Sequence, residues 1–367
     1  MAVYKIFPEK SATLYSFYPT TNTGLDEILE VSTYYSINGT DEVSRVLIKF
    51  PTDEIVDTIT SKVNGNNYSA YFKAYLANAT ALPLNYTLFN HPIAVDWNKG
   101  TGRLANSPIT SNGASWQYKD LVSGSTWFIV GSLPTGTTGS YRVNGTVGGG
   151  LWYTGSNYQS TQSFSFSTSK DIEMDITNTV NAWYSSSIPN YGIILKHSSS
   201  IEFTSASKFE TKYFSDNTHT IYPPCLEIRW DDSSYSPGSL QAINNNLFVA
   251  TMGENKGEFK QDSVQRFRIN VRDKYPTRVF QTTSIYLVNK ILPPTSYWSL
   301  VDLDTQEIII DYDTNYTKIS CDSVGNYFTL YMNGLEPDRY YKFLIKTVLS
   351  TGETIISDNS YYFKVNK

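Results

Sequence analysis

Between residues 188 and 232 the chain reads IPNYGIILKHSSSIEFTSASKFETKYFSDNTHTIYPPCLEIRWDD, three short runs suited to extended backbone. Gly192–Lys196 is an apolar run entered from turn residues, and Lys208–Phe214 and Cys225–Trp230 alternate. In the last run Leu226, Ile228 and Trp230 share one face while Glu227 and Arg229 share the other, which predicts a half-buried strand. Pro223 and Pro224 stand just before it, where they stiffen the approach without removing an amide from a central ladder.

Upstream, Asp171–Tyr184 changes period halfway. An alternating strand ends near Glu173, and Asp175 is then expected to cap a short helix whose buried stripe is Ile176, Val180 and Trp183. Nearer the start, Ser44–Phe50 predicts a core strand with Val46, Ile48 and Phe50 inward. The segments SRVLIKF, DITNTVNAW, NYGIILK, FETKYF and PPCLEIRW follow one another in this order. Together they resemble the extracellular-type β-sandwich module called DNRLRE, or disaggregatase-related, over roughly residues 1–232. The resemblance implies a jelly-roll-like sandwich with one or two short helices, in which Asp175, Trp183 and Trp230 are structural.

With 29 Tyr, 18 Phe, 7 Trp and only 4 Met among 367 residues, the composition is that of an all-β chain long enough for two cores. The two expected β-sandwich domains are residues 1–232, with a loop-like insert at 96–169, and residues 250–367. A Ser/Pro/Gly-rich linker at 233–249 separates them. Other expected elements of the first domain are a helical turn after Thr52 with Ile55, Val56 and Ile59 on its apolar side, and a strand at Ser69–Leu76. The second domain predicts strands at Arg266–Val271, Thr282–Leu287, Tyr297–Asp302, Glu307–Tyr312, Tyr327–Tyr331, Tyr340–Val348 and Tyr361–Val365. Its segment Gly334–Tyr341, GLEPDRYY, resembles the corner of fibronectin type III and immunoglobulin-like domains. That resemblance implies a structural role for Tyr341, its hydroxyl bonded to the backbone near Leu335 or Pro337.

The insert holds Trp97, Trp116, Trp127 and Trp152. Two readings stand side by side: each indole pins a loop onto the sandwich, or the indoles form a platform for sugar rings or a neighbouring subunit. The related modules carry tryptophans in the same insert, which favours pinning for Trp97, Trp116 and Trp127. Trp152 and Tyr153 follow Gly148-Gly149-Gly150, read as a flexible turn, and are the candidate interface residues.

No catalytic, cofactor-binding or metal site is indicated. His91, His197 and His219 have no metal-ligand spacing, and no nucleophile elbow occurs. Asp171, Glu173 and Asp175 could face one way and ligate Ca²⁺, but a solvated strand face ending in a helix cap accounts for them; Asp302, Asp304, Asp311 and Asp313 take the same reading. The formal charge of −5 carries no long run of one sign, so neither nucleic acid nor membrane is an expected partner. The opening MAVYKIFPEKS shows no signal-peptide pattern, and the two cysteines fall in different expected domains. An extracellular-type fold made without export suits a virion component. The expectation is a non-enzymatic structural subunit of a tailed bacteriophage virion, in the tail, baseplate or collar, partnered by other virion proteins and by its own copies in a symmetric assembly. The alternative is a carbohydrate-binding module that attaches to host glycan.

Overall fold

The computed structural model describes residues 2–35, 41–129, 131–143, 146–202, 208–243, 245–275, 289–359 and 361–367. The fold is all-β, built from largely antiparallel sheets stacked as sandwiches with a few short helices. Two compact units emerge: Ile6–Lys62 with Ser69–Glu227, and Ile228–Lys367 together with Met1–Lys5 and Val63–Tyr68. Residues 1–5, 63–68 and 228–232, expected in the first sandwich, thus group with the C-terminal unit. The divisions fall within the strands Ala2–Ile6, Tyr68–Ala74 and Cys225–Trp230.

The larger unit is organised on an eight-stranded sheet. Its spatial order is Ser160–Ser165, Asn85–Pro92, Ile193–His197, Asp41–Lys49, Ile28–Tyr35, Phe209–Phe214 and Leu76–Thr80, with Lys10–Tyr15 also paired to Asp41–Lys49. Asp41–Lys49 (ending in SRVLIK) and Ile193–His197 (IILKH) are neighbours, Ile193 opposite Ile48 and Leu195 opposite Val46. Every residue of Ile193–His197 is buried, as is every described residue from Val43 to Ile48, so both faces of these strands are covered. One face carries Phe50, which meets Phe72 edge-on at 6.3 Å. The opposite face, with Ala12, Leu14, Val43, Leu47 and Ile194, forms a second core with Trp97, Trp116, Trp127, Phe128, Leu151 and Trp152.

That second core changes the reading of the insert. The described residues of 96–153 form a packed third layer, in which Tyr118–Asp120 pairs with Ser125–Thr126 and Thr137–Val143 with Thr146–Tyr153. Asn22, fully buried, ties this layer down: its Nδ2 donates to the carbonyls of Lys99 and Ala114, both at 2.8 Å, and its Oδ1 accepts from Gly102 N at 2.7 Å. The indoles of Trp97 and Trp127 donate to the Tyr191 and Ser115 carbonyls at 3.0 and 2.9 Å.

The short helix is Thr177–Tyr184, one residue later than Asp175 suggested, with Ile176 in the capping position. Asp175 still serves the helix start, its Oδ1 accepting from Thr177 N at 2.9 Å. Ile176, Val180 and Trp183 are buried as the stripe requires. The helix after Pro51 is Thr52–Asp57, prolonged by a π-helical turn over Thr58–Val63; Ile55 and Ile59 point inward, whereas Val56 is exposed. Among the described residues no helix is long and apolar enough to cross a membrane.

The C-terminal unit stacks a four-stranded sheet, in the order Phe248–Gly253, Val264–Asp273, Asn326–Tyr331 and Ser320–Cys321, on a six-stranded one. The latter runs Glu258–Lys260, Tyr362–Asn366, Tyr340–Val348, Ser296–Asp302 and Ile308–Ile310, with Thr354–Ser357 also on Tyr340–Val348. The expected strand Thr282–Leu287 lies outside the described residues. Aromatic rings fill the core: Phe343 meets Phe267 and Phe328 edge-on at 4.8 and 4.9 Å, and Trp298 stacks on Phe328 at 5.1 Å. Each such pair contributes about 0.5–1.5 kcal/mol beyond its buried area. The expected linker is part of this unit: Ile243 joins the core, Tyr235 Oη donates to the Leu292 carbonyl at 2.9 Å, and a strand begins at Phe248.

Candidate functional site

Trp152 is not an exposed platform. Its side chain is 6% exposed, set in the second core of the larger unit, with the Arg45 guanidinium 5.1 Å and the Lys196 ammonium 5.5 Å from its ring. Tyr153 is half-buried, tilted against Tyr158 at 5.9 Å. The cause lies in the glycines, which form a strand in close contact with its neighbours. A Cβ on Gly148 would stand 2.0 Å from the Trp116 carbonyl oxygen, and one on Gly149 would stand 2.7 Å from Arg45 Nη1. Glycine is required here for close approach. All seven tryptophans are buried.

The same place holds a buried ionic cluster that sequence reasoning missed. Arg45 donates from Nε and Nη2 to the two Glu202 oxygens at 2.9 and 2.8 Å, and from Nη1 to the Gly149 carbonyl at 2.7 Å. Lys196 Nζ lies 3.4 Å from Glu202 and donates to the His197 carbonyl at 2.6 Å. Burial opposes the charge on Glu202, but Arg45 and Lys196 outweigh it and hold the carboxyl below its ordinary value. Burial lowers Lys196 to about 8 against the pull of Glu202. His91 and His197 are pushed down to about 4, chiefly by burial. With the donors of Arg45 directed at protein oxygens and the carboxylate fully buried, the cluster anchors the short helix Ser199–Glu202 and the glycine strand to the sheet. A cue existed in the sequence: SRVLIKF has three consecutive apolar residues, the mark of a strand buried on both faces, which places Arg45 inside.

Glu227 and Arg229 were also expected in solvent, yet they are 3% and 7% exposed. Lys73 Nζ reaches Glu227 at 3.7 Å, and the Arg229 guanidinium covers the Tyr316 ring at 4.9 Å. Trp230 is buried beside Tyr331, centroids 5.8 Å apart. Tyr341 takes the corner position: 2% exposed, it donates from Oη to the Glu336 carbonyl at 3.1 Å.

Asp171, Asp175, Asp302, Asp311 and Asp313, among the acidic residues singled out in the sequence, act as local caps and ion pairs. Asp171 Oδ1 accepts from Leu76 N at 2.8 Å, and Asp302 accepts a fork from Arg339 at 2.7 and 2.9 Å. Burial opposes the charge of Asp302, but the Arg339 hydrogen bonds hold its carboxyl low. Among the described residues no three His, Cys, Asp or Glu are grouped to hold a metal ion. A shallow recess of about 530 Å³ is lined by Ala250, Met252, Asn255, Asn359 and Tyr361; its Tyr361 hydroxyl donates to the Ala250 carbonyl at 2.6 Å.

Other aromatics are accessible, among them several on strands of the C-terminal unit. Tyr340 and Tyr362 are 44% and 51% exposed on the outer face of the six-stranded sheet. On the outer face of the four-stranded sheet Arg266 and Arg268 flank the Tyr327 ring at 4.6 and 5.2 Å, with Arg268 forked onto Asp322 at 2.7 and 2.8 Å. These faces are the candidate sites.

No protein-family model matches the chain, and no curated protein matches it. Among solved structures one match is the crystal structure of a DUF4785 family protein from Legionella pneumophila. The two are 10% identical, the match covers 100% of this chain and 68% of that one, and the TM-score is 0.17.

Proposed function

We propose that the chain is a non-enzymatic structural subunit of a tailed bacteriophage virion, in the tail, baseplate or collar, that works by presenting sheet faces to neighbouring subunits. The observation that carries the reading is the sorting of aromatics. Every tryptophan is buried, while Tyr34, Tyr340 and Tyr362 stand outward on regular strands, where a rigid, amphipathic ring makes an efficient contact residue. The buried Arg45–Glu202 pair supports the same reading, since it is spent on holding the third layer in place. The virion setting rests on the DNRLRE-like segments, which fall on Asp41–Lys49, Thr177–Tyr184, Ile193–His197, Phe209–Phe214 and Cys225–Trp230.

The test is complementation. Particles assembled without the chain are mixed with the purified protein. Restored assembly supports the proposal. Failure to join particles, with binding to host polysaccharide instead, replaces it with the adhesion reading.

A further inference from the structure

The strands Tyr340–Val348 and Tyr362–Asn366 pair antiparallel, with Tyr340 opposite Lys364, Tyr341 opposite Phe363 and Lys342 opposite Tyr362. Tyr341 and Phe363 point into the core, so Tyr340, Lys342, Tyr362 and Lys364 stand together on the outer face. They form a checkerboard, each tyrosine beside a lysine along its own strand and across the pair. A local two-fold through the Tyr341/Phe363 pair exchanges Tyr340 with Tyr362 and Lys342 with Lys364. The counter-ions follow the same pattern: Lys342 pairs with Asp358 at 3.0 Å and Lys364 with Asp338 at 2.8 Å.

We propose that this face docks on the same face of a second copy of the chain, an inference that rests on reading the protein as an assembly subunit. A two-fold axis lying in the face turns the checkerboard onto itself. With the axis along the strands, Tyr340 meets the second copy's Lys364 and Tyr362 meets its Lys342. With the axis across the strands, Tyr340 meets Lys342 and Tyr362 meets Lys364. Either way rings cover ammonium groups, which is attractive, and no ammonium faces another. Because each lysine already has its aspartate, the face holds little surplus positive charge to attract an acidic ligand, and the partner that fits is the pattern itself. Ile356, 58% exposed and opposite Lys346, extends the contact with apolar area.

The experiment is sedimentation equilibrium of the full chain up to about 100 μM, a range that reveals micromolar self-association. Wild type is expected to form dimers. Tyr340→Ala/Tyr362→Ala and Lys342→Glu/Lys364→Glu are each expected to weaken dimerisation at least tenfold with melting close to wild type. Two variants of different chemistry are used so that misfolding of one leaves the other decisive. A monomeric wild type at that concentration overturns the inference, and so does a dimer unaffected by a folded variant. Incorporation into particles is measured on the same proteins. Normal incorporation of a chain that never dimerises refutes this face as a self-docking surface while leaving the subunit reading standing.

Discussion

The buried histidines make the larger unit acid-sensitive, and the size of the effect follows from their surroundings. His197 is fully buried against Phe209, ring centroids 4.4 Å apart, and His91 is 7% exposed beside Trp152. Both have folded values near 4 against an ordinary 6.5. The unfolded chain therefore takes up these protons first as pH falls, and ν_U exceeds ν_N between about pH 6.5 and 4. Stability is full above 6.5 and drains through that window, by about 1.4 kcal/mol per pH unit per histidine and about 3 kcal/mol for each over the whole interval. Urea unfolding at a series of pH values from 7 to 4.5 measures the slope. His197→Gln removes one titrating group, so its slope should be shallower than wild type by about one proton, whatever the variant does to stability at pH 7. Glu202 is held low chiefly by Arg45 and Lys196, with only a smaller contribution from His197, so most of its effect is common to both proteins. Identical slopes for wild type and variant would refute the reasoning.

Three substitutions test other parts of the account. Glu202→Ala strands Arg45 and Lys196 without their carboxylate and should cost about 3–5 kcal/mol by chemical denaturation, against under 1 for an exposed pair such as Lys342–Asp358. Trp152→Ala should destabilise the larger unit by about 3–5 kcal/mol; a variant that melts normally would return Trp152 to the surface. Tyr341→Phe removes the bond to the Glu336 carbonyl and should cost about 1 kcal/mol, at the low end because that turn is only half-buried and water can replace the hydroxyl.

The strands that proved central were legible because their apolar runs had turn residues on both sides, as in NYGIILK and SRVLIKF. The helix stripe Ile176, Val180 and Trp183 and the corner Tyr341 were legible for the same reason: each is a local pattern with one stable geometry. The third layer was not. Gly148–Gly150 reads as a flexible turn because nothing in a glycine run reveals a carbonyl 2.0 Å from a missing Cβ; that constraint comes from Trp116, more than thirty residues away. Arg45, Glu227 and Arg229 fall on the polar side of their strand patterns because charged side chains seldom are buried, and their partners are distant in sequence. The contact faces were only partly visible: alternation places Tyr340 and Tyr362 outward, but the cross-strand register that makes them a checkerboard exists only in the fold.

The central claim is that the chain works by assembly, and its most direct measurement is the copy number of the chain in purified particles by quantitative mass spectrometry. The account predicts a fixed, symmetry-compatible number of copies per particle, retained through stringent purification. Absence from particles, or a trace amount lost on washing, would contradict it.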